Sequence, residues 1–99
     1  MKFRNKYRLI ASEQVYLELS NIYMNLCFSL GSINLADCFY KKVKRKIMSL
    51  RVFPERFVSL FKFQNSNSKY RKMNIGNCVI IFEIDKAGLI VYIHHIFHE

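Results

Sequence analysis

Proline occurs once and glycine three times in the 99 residues. The chain has no glycine-rich phosphate loop, no serine nucleophile elbow and no dinucleotide fingerprint, which argues against familiar metabolic chemistry. Cysteine is scarce and odd in number. Cys27, Cys38 and Cys78 lie in apolar segments without a Cys-x-x-Cys spacing. They read as small buried hydrophobes of a reducing compartment, not as a disulfide framework. Acid is scarce too: seven Asp and Glu against sixteen Lys and Arg, a formal net charge of +9. No apolar run is long enough to cross a bilayer, and that in MKFRNKYRLIAS is too short for a signal peptide. The expectation is a cytoplasmic chain that does not engage membrane. No repeat or low-complexity tract is present.

What is there is apolar. Hydrophobic residues make up 52% and aromatics 15% of the chain, which excludes a disordered protein. Residues 1–99 make a single domain, and a chain of this size buries roughly 60–70% of its unfolded surface. More apolar surface is available than so small a body can hide, so part of it is expected to await a partner. The excess of cations favours a polyanion or an acidic protein as that partner.

The chain is organised around Tyr70 to His98, which reads as three consecutive antiparallel strands. Cys78 to Ile84 is almost unbroken apolar sequence, as a central strand covered on both faces requires. Gly76-Asn77 supplies a tight hairpin turn before it, and Asp85 to Gly88 a second turn after it, with Gly88 expected in the left-handed conformation. The outer strands are the polar, basic Tyr70 to Ile75 and the apolar Leu89 to Phe97.

Upstream, Phe3 to Ala11 reads as a first strand, with Tyr7, Leu9 and Ala11 on one face. Ser12 caps a helix whose inner stripe is Val15, Leu19, Ile22 and Leu26, with Glu18, Asn21 and Asn25 on the wet side. Tyr16 and Tyr23 form a second, half-exposed row. Gly31 stops this helix and Ser32 caps the next, whose stripe is Leu35, Phe39, Val43, Ile47 and Leu50 and which ends before Pro54. Phe57 to Phe63 reads equally as a short strand or a packed loop, and Gln64 to Ser68 as a polar loop. The fold class is α+β: an N-terminal strand, then an antiparallel helical hairpin packed on a mostly antiparallel β-sheet, in the order β-α-α-β-β-β.

Three groups of residues invite a functional reading. The run KKVKRK places Lys41, Lys42 and Arg45 with further cations on one face of the second helix, as a solvated face or as a site for phosphate or an acidic segment. Lys69, Arg71 and Lys72 form a second basic group, with alternation placing Lys69 and Arg71 on one sheet face and Lys72 on the other. Histidine passes protons near neutral pH, so His94 and His98 qualify for acid–base work, and their four-residue separation places them on one face of a regular strand. His94 and His95 point to opposite faces and lack metal-ligand spacing, so neither a metal nor another cofactor is expected.

Taken in order, YRLIAS, the helical hairpin, L-x-x-FPER at its end, YRKM, GNCVIIFEID and VYIHHIFH resemble the RelE/ParE superfamily of toxins from bacterial type II toxin–antitoxin modules. The resemblance covers nearly the whole chain. It implies a compact toxin silenced by a cognate antitoxin, with operator DNA reached only through that antitoxin. Tyr16, Tyr23 and Phe61 are the aromatics expected at the antitoxin interface. RelE-like members cleave messenger RNA in the ribosomal A site without metal, whereas ParE-like members poison DNA gyrase and lack the catalytic set. Here Val79 stands where the ribonuclease branch commonly carries an arginine, and the chain lacks the basic tail and late tyrosine of many such nucleases. The resemblance therefore leans to the gyrase-directed branch. The alternative is a ribosome-dependent endoribonuclease using Arg71, His98 and His94, and the third reading is a non-toxic member that only binds antitoxin.

Overall fold

The computed structural model describes residues 6–57 and 70–98. Its order is β1 (Arg8–Ala11), α1 (Glu13–Leu30), α2 (Ile33–Met48), two 3-10 turns (Ser49–Arg51 and Pro54–Arg56), β2 (Tyr70–Ile75), β3 (Cys78–Asp85) and β4 (Ile90–His98). One four-stranded sheet has the spatial order β1-β4-β3-β2. β2, β3 and β4 form an antiparallel meander, and β1 runs parallel to β4 along its first half, from Arg8 beside Ile90 to Ala11 beside Ile93.

The hairpin of helices is punctuated as the sequence directs. The Ser12 hydroxyl accepts the Val15 N–H and so caps α1. Gly31 closes α1 at φ 64°, a region where a Cβ is disfavoured, and Ser32 accepts the Leu35 N–H to open α2. α1 lies along β4 and α2 packs against α1. Val15 and Ile22 of α1 and Val43 of α2 join Met73, Ile75, Ile80, Phe82, Val91, Ile93 and Ile96 in one core. Ile80 and Phe82 are fully buried, so β3 is the central strand the sequence requires. Each such side chain stabilises the fold by about 1.5–3 kcal/mol relative to leaving it in water.

Several expectations need correction. The first strand begins at Arg8, because the Tyr7 N–H donates to the Arg51 carbonyl and not to the sheet; residues 3–5 lie outside the described residues. The stripe of α2 starts at Ala36, which is fully buried, while Leu35 is 54% exposed. Ala36, Phe39, Val43, Ile47 and Leu50 follow the helical period, and the small side chain sits at the tight end of the hairpin. Cys78 is buried, but Cys27 is half-buried and Cys38 exposed. Glu18 is half-buried at the sheet edge, not on the wet side. In the second turn the left-handed residue is Leu89, at φ 54°, not Gly88. Gly88 lies close to the Asp85 side chain instead: its N–H donates to Asp85 Oδ1, and a Cβ there would come within 2.8 Å of Oδ2, so the carboxylate would have to shift. The segment from 58 to 63, ambiguous in sequence, lies outside the described residues.

The surplus apolar surface sits mainly on the helices. Tyr16, Leu17, Met24 and Phe28 of α1 are exposed, as are Ile33 and Met48 of α2.

Candidate functional site

The strand β4 determines what the sheet can do. Its pairing with β3 slips between Ile81, opposite His95, and Phe82, opposite Ile93, so His94 is the extra residue of a β-bulge. Beyond the bulge Ile96 returns to the core face, opposite Ile80, and His98 follows it there, opposite the buried Cys78. His94 turns to the other face. Its Nε2 lies 2.9 Å from Glu83 Oε1, its ring meets Tyr70 edge-on at 5.5 Å, and it stacks on Tyr92 at 6.5 Å. The bulge therefore breaks the parity expected of His94 and His98, and the two histidines occupy opposite faces.

Arg71 is also placed apart. It stands opposite Phe82 on the core face of β2, and its Nη1 donates to the carbonyls of Phe57 at 2.7 Å and Glu55 at 3.3 Å. Those bonds tie the sheet to the L-x-x-FPER segment. Four residue pairs separate Arg71 from the Cys78–His98 pair, about 13 Å along the strand. Lys72 lies half-buried on the opposite face, paired with Ile81. Lys69 and Phe61 fall outside the described residues. Arg71, His94 and His98 are thus not brought together.

A polar network missed by the sequence reading fixes Arg71. The Tyr7 hydroxyl donates to Glu55 Oε2 at 2.8 Å, while Arg51 Nε donates to the Tyr7 carbonyl. Burial pushes the Tyr7 phenol up to about 12, and the hydrogen bond and negative charge of Glu55 add to that shift. Burial alone would raise the Glu55 carboxyl. The Tyr7 hydrogen bond, its own backbone N–H and the nearby Lys86 and Arg71 charges outweigh it and hold that carboxyl below its usual range. The FPER motif was the available signal, but nothing in the sequence named Tyr7 as its partner.

At the free edge of β4, past the end of β1, Glu18 Oε1 accepts the Ile96 N–H at 2.9 Å and Oε2 lies 3.4 Å from His95 Nδ1. A helix carboxylate thus satisfies a strand edge. Among the described residues no group of three His, Cys, Asp or Glu side chains is placed to hold a metal ion. No described helix is long and apolar enough to cross a membrane.

The helical side offers a groove. Leu9, Val15, Tyr16, Leu19, Ile47 and Met48 line a cavity of about 430 Å³ between β1, α1 and α2, largely apolar, with Lys44 at its rim. Tyr16, 64% exposed, is one wall. Tyr23 faces a separate, shallow hollow with Met24 and Tyr40. Its hydroxyl donates to Asp37, which, together with partial burial, raises the phenol to about 12. Lys41, Lys42 and Arg45 stand exposed on the outer side of α2.

Comparison with known proteins agrees with this architecture. The family model for the ParE toxin of the type II toxin–antitoxin system parDE matches residues 7–99. A search of curated protein sequences returns no significant match. The fold is similar to a solved structure of the chromosomal ParDE toxin–antitoxin system from P. aeruginosa, with TM-score 0.74 and 13% identity over 96% of this chain and 98% of that one. It is also similar to the toxin–antitoxin complex RelBE2 from Mycobacterium tuberculosis, with TM-score 0.66 and 12% identity over 100% of this chain and 98% of that one. With the family model spanning both the hairpin and the whole meander, the chain belongs to the ParE toxin family of type II toxin–antitoxin systems.

Proposed function

We propose that this toxin acts in the cytoplasm by binding and inhibiting DNA gyrase, without an active site of its own, and that a cognate antitoxin silences it. The observation that carries this reading is the dispersal of the nuclease set. Metal-free RNA cleavage needs a proton acceptor, a proton donor and a fixed cation around one phosphate. Here Val79 fills the position of the expected cation, Arg71 is bound to two backbone carbonyls, and His94 and His98 lie on opposite faces. The family match supports the same branch.

The antitoxin would lay an apolar segment along the groove walled by Tyr16, with Tyr23 and Phe61 as further aromatic contacts and the basic surface attracting its acidic residues. The similar structures from P. aeruginosa and M. tuberculosis are themselves described as toxin–antitoxin assemblies, which supports such a partner. One observation favours the endoribonuclease reading: the His94–Glu83 pair flanked by Tyr70 and Tyr92 is a ready acid–base group. Purified chain is to be added to gyrase in a supercoiling assay and to programmed ribosomes with primer extension. Loss of supercoiling with intact transcripts is expected. Efficient A-site cutting that disappears in His94→Ala would replace the proposal with the nuclease, and inertness in both assays would leave a non-toxic, antitoxin-binding protein.

A further inference from the structure

The two helices of the hairpin are opposite in charge. α1 holds Glu13 and Glu18 and no Lys or Arg, whereas α2 carries Lys41, Lys42, Lys44, Arg45 and Lys46 within six positions, all exposed. The only acid of α2, Asp37, receives the Tyr23 hydroxyl. Among the described residues none of the five cations is ion-paired, and only Lys44 has a ring partner, Tyr40 at 5.6 Å. A helix face that merely needs water mixes its signs. This one stacks like charges at both helical spacings, Lys41 with Lys44 and Arg45, and Lys42 with Arg45 and Lys46, an arrangement that weakens the helix. Arg45 and Lys46 gain from the helix C-terminus. Lys41 and Lys42, in mid-helix, have no such compensation.

The basic surface continues past the helix. Lys44 and Met48 share the groove rim with Leu9, and Met48 adjoins Arg8 and Arg51. Lys41 to Arg45 and Lys42 to Lys46 each span about 6 Å along the axis, on the scale of the distance between neighbouring phosphates along one strand of a duplex. Other polyanions fit less well. An acidic peptide finds its apolar anchors in the groove beyond Lys44 and Met48, to one side of the face carrying Lys41, Lys42 and Arg45, where Val43, the one apolar residue within the run, is fully buried. Single strands need aromatic platforms, and Tyr40 is half-buried with Lys44 over its ring. An anionic membrane needs the apolar face of the helix, which Ala36 and Val43 commit to the interior.

We propose that the outer face of α2, extended by Arg8 and Arg51, is a binding site for the phosphate backbone of duplex DNA, engaged without sequence preference. The expectation that operator DNA is reached only through the antitoxin stands beside this contact, which reads no sequence. This inference holds whichever target the toxin strikes. For a toxin directed at an enzyme that works on DNA, the contact would keep toxin and target on the same polymer.

The test measures binding of the purified full chain to a short labelled duplex of random sequence against salt concentration. Contacts from the five cations of α2 alone, before any share from Arg8 and Arg51, predict a slope of about −4.5 in log K against log[salt], roughly a 500-fold loss of affinity from about 50 to 200 mM salt. In the double variant Lys41→Gln with Lys42→Gln the slope falls by about 1.8, to a roughly 40-fold loss over the same range. The control, Lys72→Gln with Lys86→Gln, removes the same charge from the β2–β4 meander and keeps the parental slope. Thermal melting of the α2 variant is unchanged or raised, since like-charge pairs are relieved. Equal losses of slope in the two variants would reduce the effect to net charge and overturn the site. Poly-glutamate or single-stranded DNA binding as tightly as duplex would also overturn it.

Discussion

Replacing Tyr7 by Phe isolates one oxygen atom. The hydroxyl donates at 2.8 Å to a half-buried carboxylate, in a residue only 7% exposed. A hydrogen bond to a charged group contributes about 1.5–3 kcal/mol, and Glu55 would keep its backbone N–H and the Lys86 and Arg71 charges. The expected loss near neutral pH is therefore about 2 kcal/mol, which in a domain of this size lowers Tm by roughly 8–15 °C. The pH dependence separates this bond from simple packing. The Glu55 pKa is depressed in the fold, so its contribution is present above the unfolded carboxyl value and is lost as pH falls through the folded one. The Tyr7 pKa is raised from 10.0 to about 12, so its contribution is complete below pH 10 and is lost as pH rises toward 12. The gap between parent and Tyr7→Phe should be flat from the end of the carboxylate range to pH 10 and shrink on both sides. Urea unfolding followed by circular dichroism across this range measures it. A gap below about 0.5 kcal/mol at pH 7, or one that persists undiminished under acid, would refute the role given to the bond.

Ala36→Leu forces a larger side chain into the fully buried closure of the hairpin and should destabilise the fold by about 1–3 kcal/mol in the same unfolding assay. Gly31→Ala meets no atom within 4 Å, so only the left-handed backbone is penalised; a loss of about 1–2 kcal/mol is expected, with no change in the near-ultraviolet spectrum. Tyr16→Ala leaves the free toxin equally stable but weakens antitoxin binding by about 1–2 kcal/mol, scaled from its 64% exposure and read by calorimetric titration.

Elements governed by local chemistry were legible from the chain alone. Ser12, Gly31, Ser32 and the Gly76-Asn77 turn act within a few residues, and the apolar run from Cys78 to Ile84 could only be a covered strand. What escaped depends on distant partners. The parallel pairing of β1 with β4, the Tyr7–Glu55 bond across 48 residues and the reach of Glu18 to Ile96 across 78 have no periodic signature. Leu35 and Ala36 differ by one position on a helix whose rotation is set by its neighbour. The candidate site was legible as residue types but not as a place. His94 and His98 share a face only if the strand is regular, and Arg71 is a free cation only if nothing accepts its N–H groups.

The bulge at His94 acts as an inserted count in the sheet. Up to Ile93 the core residues of β4 are odd-numbered, and from Ile96 onward they are even-numbered. Omitting His95 would leave Ile93, Ile96 and His98 on their present side, because one residue fewer restores simple alternation. Insertion has no such neutrality: one more residue between Ile93 and Ile96 also restores alternation, but it turns the second of the three intervening residues inward opposite Ile80 and carries Ile96 on to face Cys78. Length changes in this short stretch are therefore a matter of register. A one-residue deletion should fold with the Ile80–Ile96 contact intact by nuclear Overhauser effects, whereas a one-residue insertion should not.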